Sequence, residues 1–229
     1  MTNIVLIHGA YQGGWIWQRV VSRLAMAGHK VFAPSLDGCA DRRHALRHGI
    51  TAETHGAEIA ELLFFEDLRD VVLVGTSSGG MVVCKAAELA RERVGRLVFA
   101  DALALFDGEC IPDIVKRPTA VTTDLTTGPS PEDAAARMFA SLDDATKAWA
   151  LERYTPHPVA AMRDRVKLPN FWQQSWKADV IWCRQAVNPG EAHQRRAAEK
   201  LGATWHELDT GHYPMLSAAE ELAGLIVKG

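Results

Sequence analysis

The sequence predicts an α/β fold in which about six parallel strands are covered by helices on both faces. Short, almost wholly apolar runs alternate along the chain with segments whose apolar residues recur at helical spacing. Such runs are typical of strands that are buried on both faces, and strictly alternating strands and helices form a parallel sheet between helices. A chain of 229 residues is long enough to bury the core that this arrangement needs.

Four predicted strands and three predicted helices fill the first hundred residues. The strands are residues 3–7, 30–33, 71–74 and 96–100, and the helices are residues 15–27, 51–68 and 81–93. Gly28 follows the first helix and Pro34 follows the second strand, and both residue types commonly end regular elements. The first half of the chain therefore reads as one continuous α/β unit.

The alternation stops after the fourth strand and resumes near the carboxyl end. Residues 103–174 contain prolines and two helical patches, residues 131–142 and 143–153, but no comparable apolar run. Strand 180–183, helix 191–201, strand 204–208 and helix 218–227 follow. We predict a core of residues 1–102 and 175–229, with a helical cap inserted after the fourth strand at the edge where α/β proteins bind ligands.

Composition and charge exclude several classes of protein. The chain is 48% hydrophobic and 23% charged, which is typical of a globular domain, and a net charge of −3 gives no basic surface for nucleic acid. No apolar run approaches the roughly 18–20 residues that span a bilayer, and the start lacks the basic segment of a signal peptide. The four cysteines form no CxxC pair. We expect a cytoplasmic protein that binds a small-molecule substrate, and neither nucleic acid nor a membrane. A monomer and a homodimer stay open as alternatives.

The segment GTSSGG, residues 75–80, lies between the third strand and the third helix. It contains the pattern G-x-S-x-G with Ser77 at its centre. Small neighbours let the backbone form a strained bend that exposes the serine hydroxyl, and the helix that follows directs free N–H groups toward an anion. A Gly- and Ser-rich connection without chemistry is the alternative. The strand–turn–helix setting favours Ser77 as a nucleophile.

Among nine histidines, His212 is the candidate base. It follows the last predicted strand in a glycine-containing turn, at the same sheet edge as Ser77, where an imidazole can reach the hydroxyl. His44 and His48 lack the glutamate of an HExxH zinc motif and lie in an Arg-rich segment. We therefore predict no metal, and no organic cofactor, because no GxGxxG follows the first strand.

The turn after the first strand, His8-Gly9-Ala10, is predicted to lie beside Ser77 in a doubly wound sheet. The backbone N–H groups of Ala10 and Ser78 are the candidate donors for an oxyanion hole, in which one donor contributes on the order of 10²–10³ in rate. For His8 itself we expect a buried, orienting role and not a catalytic one.

Three segments carry a resemblance to a known family: HGAYQGGWIW near the start, GTSSGG at the bend and ELDTGHYPMLSAAEELAGLI near the end. The sequence resembles the α/β-hydrolases, and among them the branch of plant methylesterases, hydroxynitrile lyases and their bacterial esterase relatives. The resemblance covers essentially the whole chain and is more specific for fold than for substrate. It implies Ser77 as nucleophile, His212 as base, and the N–H groups of Ala10 and Ser78 as the oxyanion hole.

The chain departs from this family at the acid of the catalytic triad. Members of the family place an aspartate in the loop after the penultimate strand, where this chain has Ala186. Asp101 follows the fourth strand at the correct sheet edge, and some α/β-hydrolases take their acid from this strand. We predict Asp101 as the acid that holds the histidine. Glu191, a Ser–His pair without an acid, and an Asp101 that merely caps the first turn of the cap remain alternatives.

Two positions separate hydrolysis from carbon–carbon cleavage. Lyases similar to this family carry a threonine at the position of Gly9 and a lysine directly after the histidine, where this chain has Tyr213. Without that cation, departing cyanide is not stabilised, so we expect a serine esterase. A hydroxynitrile-lyase-type enzyme and a catalytically inactive ligand-binding protein are the alternatives.

Aromatic residues suggest the class of substrate, since pockets for small ligands are mostly apolar and aromatic. The predicted pocket residues are Tyr11 and Trp15 after the first strand, and Phe106, Phe139, Trp149 and Trp172 in the cap. Such walls suit a small aromatic or apolar ester, of the methyl ester or carbamate type. The alternative is that about half of the aromatic residues form core between the cap and the sheet.

Overall fold

The computed structural model describes residues 1–115 and 120–228. The strands in these ranges are β1 (Asn3–Ile7), β2 (Lys30–Phe32), β3 (Val71–Ser77), β4 (Val94–Ala102), β5 (Val121–Thr122), β6 (Thr126–Gly128), β7 (His157–Pro158), β8 (Ala178–Cys183) and β9 (Thr204–Leu208). The helices are α1 (Gln18–Met26), α2 (Ala52–Phe65), α3 (Gly79–Leu89), α4 (Ile111–Ile114), α5 (Pro131–Asp133), α6 (Asp144–Leu151), α7 (Val159–Arg163), α8 (Glu191–Leu201), α9 (Pro214–Ser217) and α10 (Ala219–Val227). A single π-helical turn, Ala134–Met138, follows α5.

Six strands form one parallel sheet in the order β2-β1-β3-β4-β8-β9, which confirms the predicted fold class. β1 lies beside β3, with Ile7 paired with Gly75, as the doubly wound topology predicts. β3 in turn lies beside β4, where Ser77 pairs with Ala102. The carboxyl ends of these three central strands therefore meet at one edge of the sheet.

Two apolar layers cover the sheet, because successive side chains of a buried strand point to opposite faces. In β1, Val5 and Ile7 belong to the layer that includes α2, α3 and α8, whereas Ile4 and Leu6 belong to the layer that includes α1 and α10. All four side chains are fully buried. The near-continuous apolar runs of the sequence thus reflect helices on both faces.

The segment between β4 and β8 differs in part from its prediction. Within the described residues, α5 and α6 lie in the two predicted helical patches. The segment also holds the short helices α4 and α7 and an antiparallel sheet of the order β5-β6-β7, which the sequence did not indicate. Each of these strands has only two or three residues, too few for a visible alternation. Residues 116–119 of the predicted cap lie outside the described residues, and the division into core and cap stays a prediction.

The described helices include none that is long and apolar enough to cross a membrane. The four cysteines, Cys39, Cys84, Cys110 and Cys183, are buried and free.

A buried ion pair joins β4 to β8 and to the last helix. Arg96 Nε donates to Asp179 Oδ2 at 2.6 Å, and the other guanidinium nitrogens donate to the backbone carbonyls of Leu225 and Ile226. The second carboxylate oxygen lies 2.7 Å from His206 Nε2. Each charged group is therefore paired, which is the condition under which charges are tolerated in a protein interior.

We expect Asp179→Ala to lower the free energy of unfolding by about 3–5 kcal/mol, because the Arg96 guanidinium is then buried without its counter-charge. Urea denaturation measures this change. Glu152→Ala removes an exposed partner of Arg153 and is the matched control, for which we expect little change. Equal losses in the two variants would contradict the prediction.

Candidate active site

Ser77 lies at a sharp bend between β3 and α3. Its φ of 50° is in the left-handed region, which costs a residue with a Cβ on the order of 1–3 kcal/mol. The bend is closely packed: a Cβ added at Gly75 would lie 2.8 Å from the carbonyl oxygen of Gly79, and one added at Gly79 would lie 2.6 Å from that of His8. The flanking glycines are therefore required by backbone contacts on both sides of the serine.

The turn after β1 lies directly against this bend. A Cβ added at Gly9 would be 2.5 Å from the Cβ of Ser77, and Ala10 lines the same cavity as Ser77. Among the described residues, no protein acceptor is hydrogen-bonded to the amide N–H of Ala10 or of Ser78. The two amides predicted to form an oxyanion hole are thus available to a ligand.

His8 supports the turn from its buried side. Its Nε2 accepts the N–H of Leu36 at 2.9 Å, so Nδ1 carries the proton and donates to the carbonyl of Gly9 at 2.8 Å. Complete burial lowers the pKa of His8 to about 4, which keeps the ring neutral in this tautomer. The residue is buried and orients its neighbours, as the sequence predicted.

Asp101 and His212 are in direct contact. Asp101, the penultimate residue of β4, has a φ of 47°, and its fully buried carboxylate places Oδ2 2.5 Å from His212 Nδ1. The other oxygen accepts the backbone N–H of Cys183 at 3.4 Å. Because Nδ1 is bonded to a carboxylate, Nε2 is the ring nitrogen that remains for proton transfer. His212 and Ser77 both line one cavity.

The alternative acids do not reach this histidine. Glu191, at the start of α8, is partly exposed and accepts from Arg195 at 2.7 Å. Ala186, where the sequence resemblance places the aspartate of the family, is part of the cavity wall. Within the described ranges no group of three or more His, Cys, Asp or Glu residues is arranged to hold a metal ion.

The cavity has a volume of about 370 Å³. Its apolar wall includes Tyr11, Leu103, Val115, Pro129, Met138 and Val187, and its polar wall includes Ser141, Gln185, Asn188 and the ion pair of Asp133 with Arg137. Most residues of the polar wall were not predicted from the sequence. The loop from Gln185 to Pro189 could have been found by position, since it follows β8 at the same sheet edge as the serine.

Five of the six aromatic residues predicted for the pocket pack elsewhere: Trp15, Phe106, Phe139, Trp149 and Trp172. Trp15 contacts Trp149 at 5.2 Å between ring centroids, Phe106 contacts Trp172 at 4.7 Å, and Phe139 contacts Tyr213 at 5.0 Å. The prediction is corrected for these five, because each packs against another aromatic ring and none is among the described residues that line the cavity. Tyr11 alone of the six lines the cavity within the described residues.

A parallel sheet in this strand order, with a serine at a strand–helix bend and a histidine after the last strand, defines the α/β-hydrolase class. The chain belongs to the alpha/beta hydrolase family, whose sequence profile matches residues 4–225.

Individual relatives include esterases. Over 111 residues the chain is 37% identical to "Carbendazim hydrolyzing esterase" of Nocardioides sp. (strain SG-4G), a match that spans 48% of this chain and only 46% of that protein. It is 29% identical to "Methylesterase 3" of Arabidopsis thaliana over 257 residues, 99% of this chain and 95% of that one. A solved extracellular alpha/beta-hydrolase from a Paenibacillus species shares the fold with a TM-score of 0.84, at 21% identity, over 100% of this chain and 98% of that chain.

The lowered pKa of His8 predicts a loss of stability in acid. The unfolded chain binds a proton near pH 6.5 and the folded chain only near pH 4, so the free energy of unfolding falls as the pH drops through this window. His8 contributes about 3 kcal/mol to this fall in the free energy of unfolding. Urea denaturation at pH 7.5 and 4.5 measures it, and we expect His8→Gln to reduce the difference.

His193, whose pKa burial also lowers to about 4, keeps part of the pH dependence in that variant. The exposed His44 gives the matched control, His44→Gln, which we expect to retain the full pH dependence. If the free energy of unfolding of His8→Gln falls between pH 7.5 and 4.5 as much as that of the unchanged protein, the pH dependence is not due to His8.

Proposed function

We propose that this protein is a serine esterase that cleaves a small apolar ester, of the methyl ester or carbamate type, through an acyl-enzyme intermediate. The observation that carries the proposal is the 2.5 Å contact between Asp101 and His212, on the wall of a cavity that Ser77 also lines. The esterase names of two relatives support the class of reaction.

Acylation begins when His212 Nε2 removes the proton of the Ser77 hydroxyl and Oγ attacks the ester carbonyl carbon. The N–H groups of Ala10 and Ser78 hold the oxyanion of the tetrahedral intermediate. Asp101 fixes the Nδ1–H tautomer and stabilises the imidazolium. The intermediate then breaks its bond to the alcohol oxygen, which leaves with the proton from His212.

Deacylation repeats these steps with water. His212 removes a proton from a water molecule, whose oxygen attacks the acyl carbonyl, and the same two amides hold the second oxyanion. The bond to Ser77 Oγ breaks, the carboxylic acid is released, and Oγ recovers its proton from the imidazolium. The reaction therefore needs no group beyond the chain itself and water.

The cavity supports a small and largely apolar substrate. A volume of about 370 Å³ is near the lower end of ligand pockets, and the apolar wall is mainly aliphatic. Val115, Pro129 and Met138 of this wall come from the segment after β4, which we propose acts as a cap over the site. Preference for an aromatic group would depend on the rings of Tyr11 and Tyr213.

Carbon–carbon cleavage is disfavoured by two contacts. A threonine at position 9 would need space that the Cβ of Ser77 occupies, because even a Cβ added at Gly9 lies 2.5 Å from it. Tyr213, at the position of the lyase lysine, is buried against Phe139. The bond between Asp101 and His212 also removes the main argument for an inactive binding protein, which was the missing acid at Ala186.

Covalent labelling tests the nucleophile. We expect a fluorophosphonate probe to label the protein, and Ser77→Ala to abolish labelling because the attacking oxygen is gone. Intact-protein mass spectrometry measures the adduct. Ser78→Ala is the matched control and should keep the adduct, since it retains the backbone N–H. A protein that is folded but never labelled would refute the proposed function.

A second prediction concerns the acid. Asp101→Asn is expected to lower kcat for p-nitrophenyl acetate by about 10³–10⁴, because the amide favours the wrong histidine tautomer. Glu191→Gln is the matched control, for which we expect nearly unchanged kcat. Steady-state kinetics and circular dichroism separate catalysis from folding. A near-normal rate in Asp101→Asn would assign the acid elsewhere.

A further inference from the structure

Tyr11 has an unfavourable backbone conformation immediately after a proposed oxyanion donor. Its φ of 68° lies in the left-handed region, and its side chain is only 4% exposed. A tyrosine keeps this conformation only where its surroundings stabilise it. The contacts that hold Tyr11 therefore also determine the direction of the neighbouring Ala10 N–H.

The backbone of Tyr11 is held on both sides by the segment that leads into β7. The N–H of Tyr11 donates to His157 Nδ1 at 3.4 Å, and the carbonyl of Tyr11 accepts the N–H of Thr155 at 3.3 Å. Both partners lie more than 140 residues away in sequence, between β4 and β8. The segment between β4 and β8 is thus hydrogen-bonded to the main chain of Tyr11 and does not contact the oxyanion turn only across the cavity.

The side chain of Tyr11 packs against β6 of the small sheet and against Tyr154, which precedes β7. Its ring centroid lies 5.8 Å from that of Tyr154, and a Cβ added at Gly128 in β6 would lie 3.1 Å from its Cε1. Tyr154 donates its hydroxyl to the carbonyl of Pro129 at 2.6 Å, and Pro129 belongs to the cavity wall. The small sheet β5-β6-β7 and the residues next to it therefore support both the wall of the cavity and Tyr11.

His157 has a defined role in this contact. It is 3% exposed, and because a backbone N–H can only donate, its Nδ1 is an acceptor without a proton. The thiol of Cys39 lies 3.5 Å from the same nitrogen and donates to the carbonyl of Asp37 at 3.7 Å. The N–H of Tyr11 is therefore the donor that sets this tautomer, with the ring proton on Nε2.

Together, His8 and His157 hold the two peptide planes that flank Ala10. His8 donates to the carbonyl of Gly9, which is in one rigid plane with the N–H of Ala10. His157 accepts from the N–H of Tyr11, which is in the next plane. Fixing both planes fixes the φ and ψ of Ala10, and with them the direction of its N–H.

We propose that His157 is a positioning residue for the oxyanion turn, through which the segment between β4 and β8 sets the alignment of the Ala10 N–H. This inference rests on the proposed function, since that function assigns the Ala10 N–H to the oxyanion. A substrate group that packs against Pro129 contacts the residue that directly follows β6 and accepts the hydroxyl of Tyr154, whose ring packs against Tyr11. The binding free energy of that substrate group then stabilises the transition state through the aligned Ala10 N–H. It therefore raises kcat and does not lower KM.

The test uses two substitutions of His157 in the full chain. His157→Asn retains an acceptor near the position of Nδ1, whereas His157→Phe retains a ring without an acceptor. With p-nitrophenyl acetate we expect His157→Phe to lower kcat by about 10-fold or more, a part of the loss for a missing donor, with KM changed less than about twofold. Affinity for phenylboronic acid, whose adduct with Ser77 is tetrahedral, should fall in parallel, and His157→Asn should restore both.

His55→Phe is the matched control. His55 is a buried neighbour whose ring lies 5.9 Å from that of His157, but its Nε2 is bonded to the carbonyl of Asp37 and not to the oxyanion turn. We expect kcat in this variant to stay close to that of the unchanged protein. If His157→Phe and His55→Phe lower kcat equally, or if kcat falls only in proportion to the folded fraction, the proposal is overturned.

Amide hydrogen exchange gives a readout that does not depend on activity. The N–H of Tyr11 should exchange faster in His157→Phe than in His157→Asn or His55→Phe. If the unchanged protein hydrolyses no ester and takes no label, the proposed function fails, while the exchange rates still show whether His157 holds the turn. If the Tyr11 N–H of His157→Phe exchanges faster but the affinity of this variant for phenylboronic acid is unchanged, the positioning role is overturned. Unchanged exchange at Tyr11 overturns the contact itself.

Discussion

The hydrogen bond between Asp101 and His212 joins the end of β4 to the loop after β9, across the strand that lies between them. It exists only because parallel strands present their carboxyl ends at one edge, so that groups 111 residues apart in sequence come within 2.5 Å. Complete burial of the carboxylate makes this contact costly to break, since a buried charge without its partner is strongly unfavourable. The orientation of the imidazole relative to the Ser77 bend follows from this bond.

Three of the six non-glycine residues with a positive φ in the described ranges lie around the same edge. Tyr11, Ser77 and Asp101 each lie at or shortly after the carboxyl end of a central strand. Such conformations cost on the order of 1–3 kcal/mol each and persist where packing determines them. Here the packing is provided by backbone contacts, with glycines at 9, 75 and 79 allowing the chains to approach. The backbone preference of these three residues is overridden at the place where the proposed chemistry needs side chains and amides directed into one cavity.

The sequence predicted the large sheet well because its information is local. β1, α8 and β9 have the predicted bounds, since apolar runs and helical spacing record burial directly. The small sheet β5-β6-β7 was missed because its strands are too short to show a pattern of their own, and because β7 pairs with β6 across a long stretch of sequence. The aromatic residues were misassigned for a related reason: hydrophobicity predicts that a ring is buried, but not whether a cavity or another ring covers it, as Phe139 against Tyr213 illustrates.

The position of the proposed acid also affects the substrate cavity. With Asp101 supplying the carboxylate from β4, the loop after β8 no longer needs to hold the histidine, and its residues Gln185 to Pro189 line the cavity instead. Ala186 leaves space where a carboxylate would otherwise occupy the wall. The same relocation places the acid in the sheet, where both neighbouring strands restrain it, whereas a loop residue would depend on its own turn. Under the proposed function, an acid on β4 leaves the loop after β8 free to determine which substrate fits the cavity.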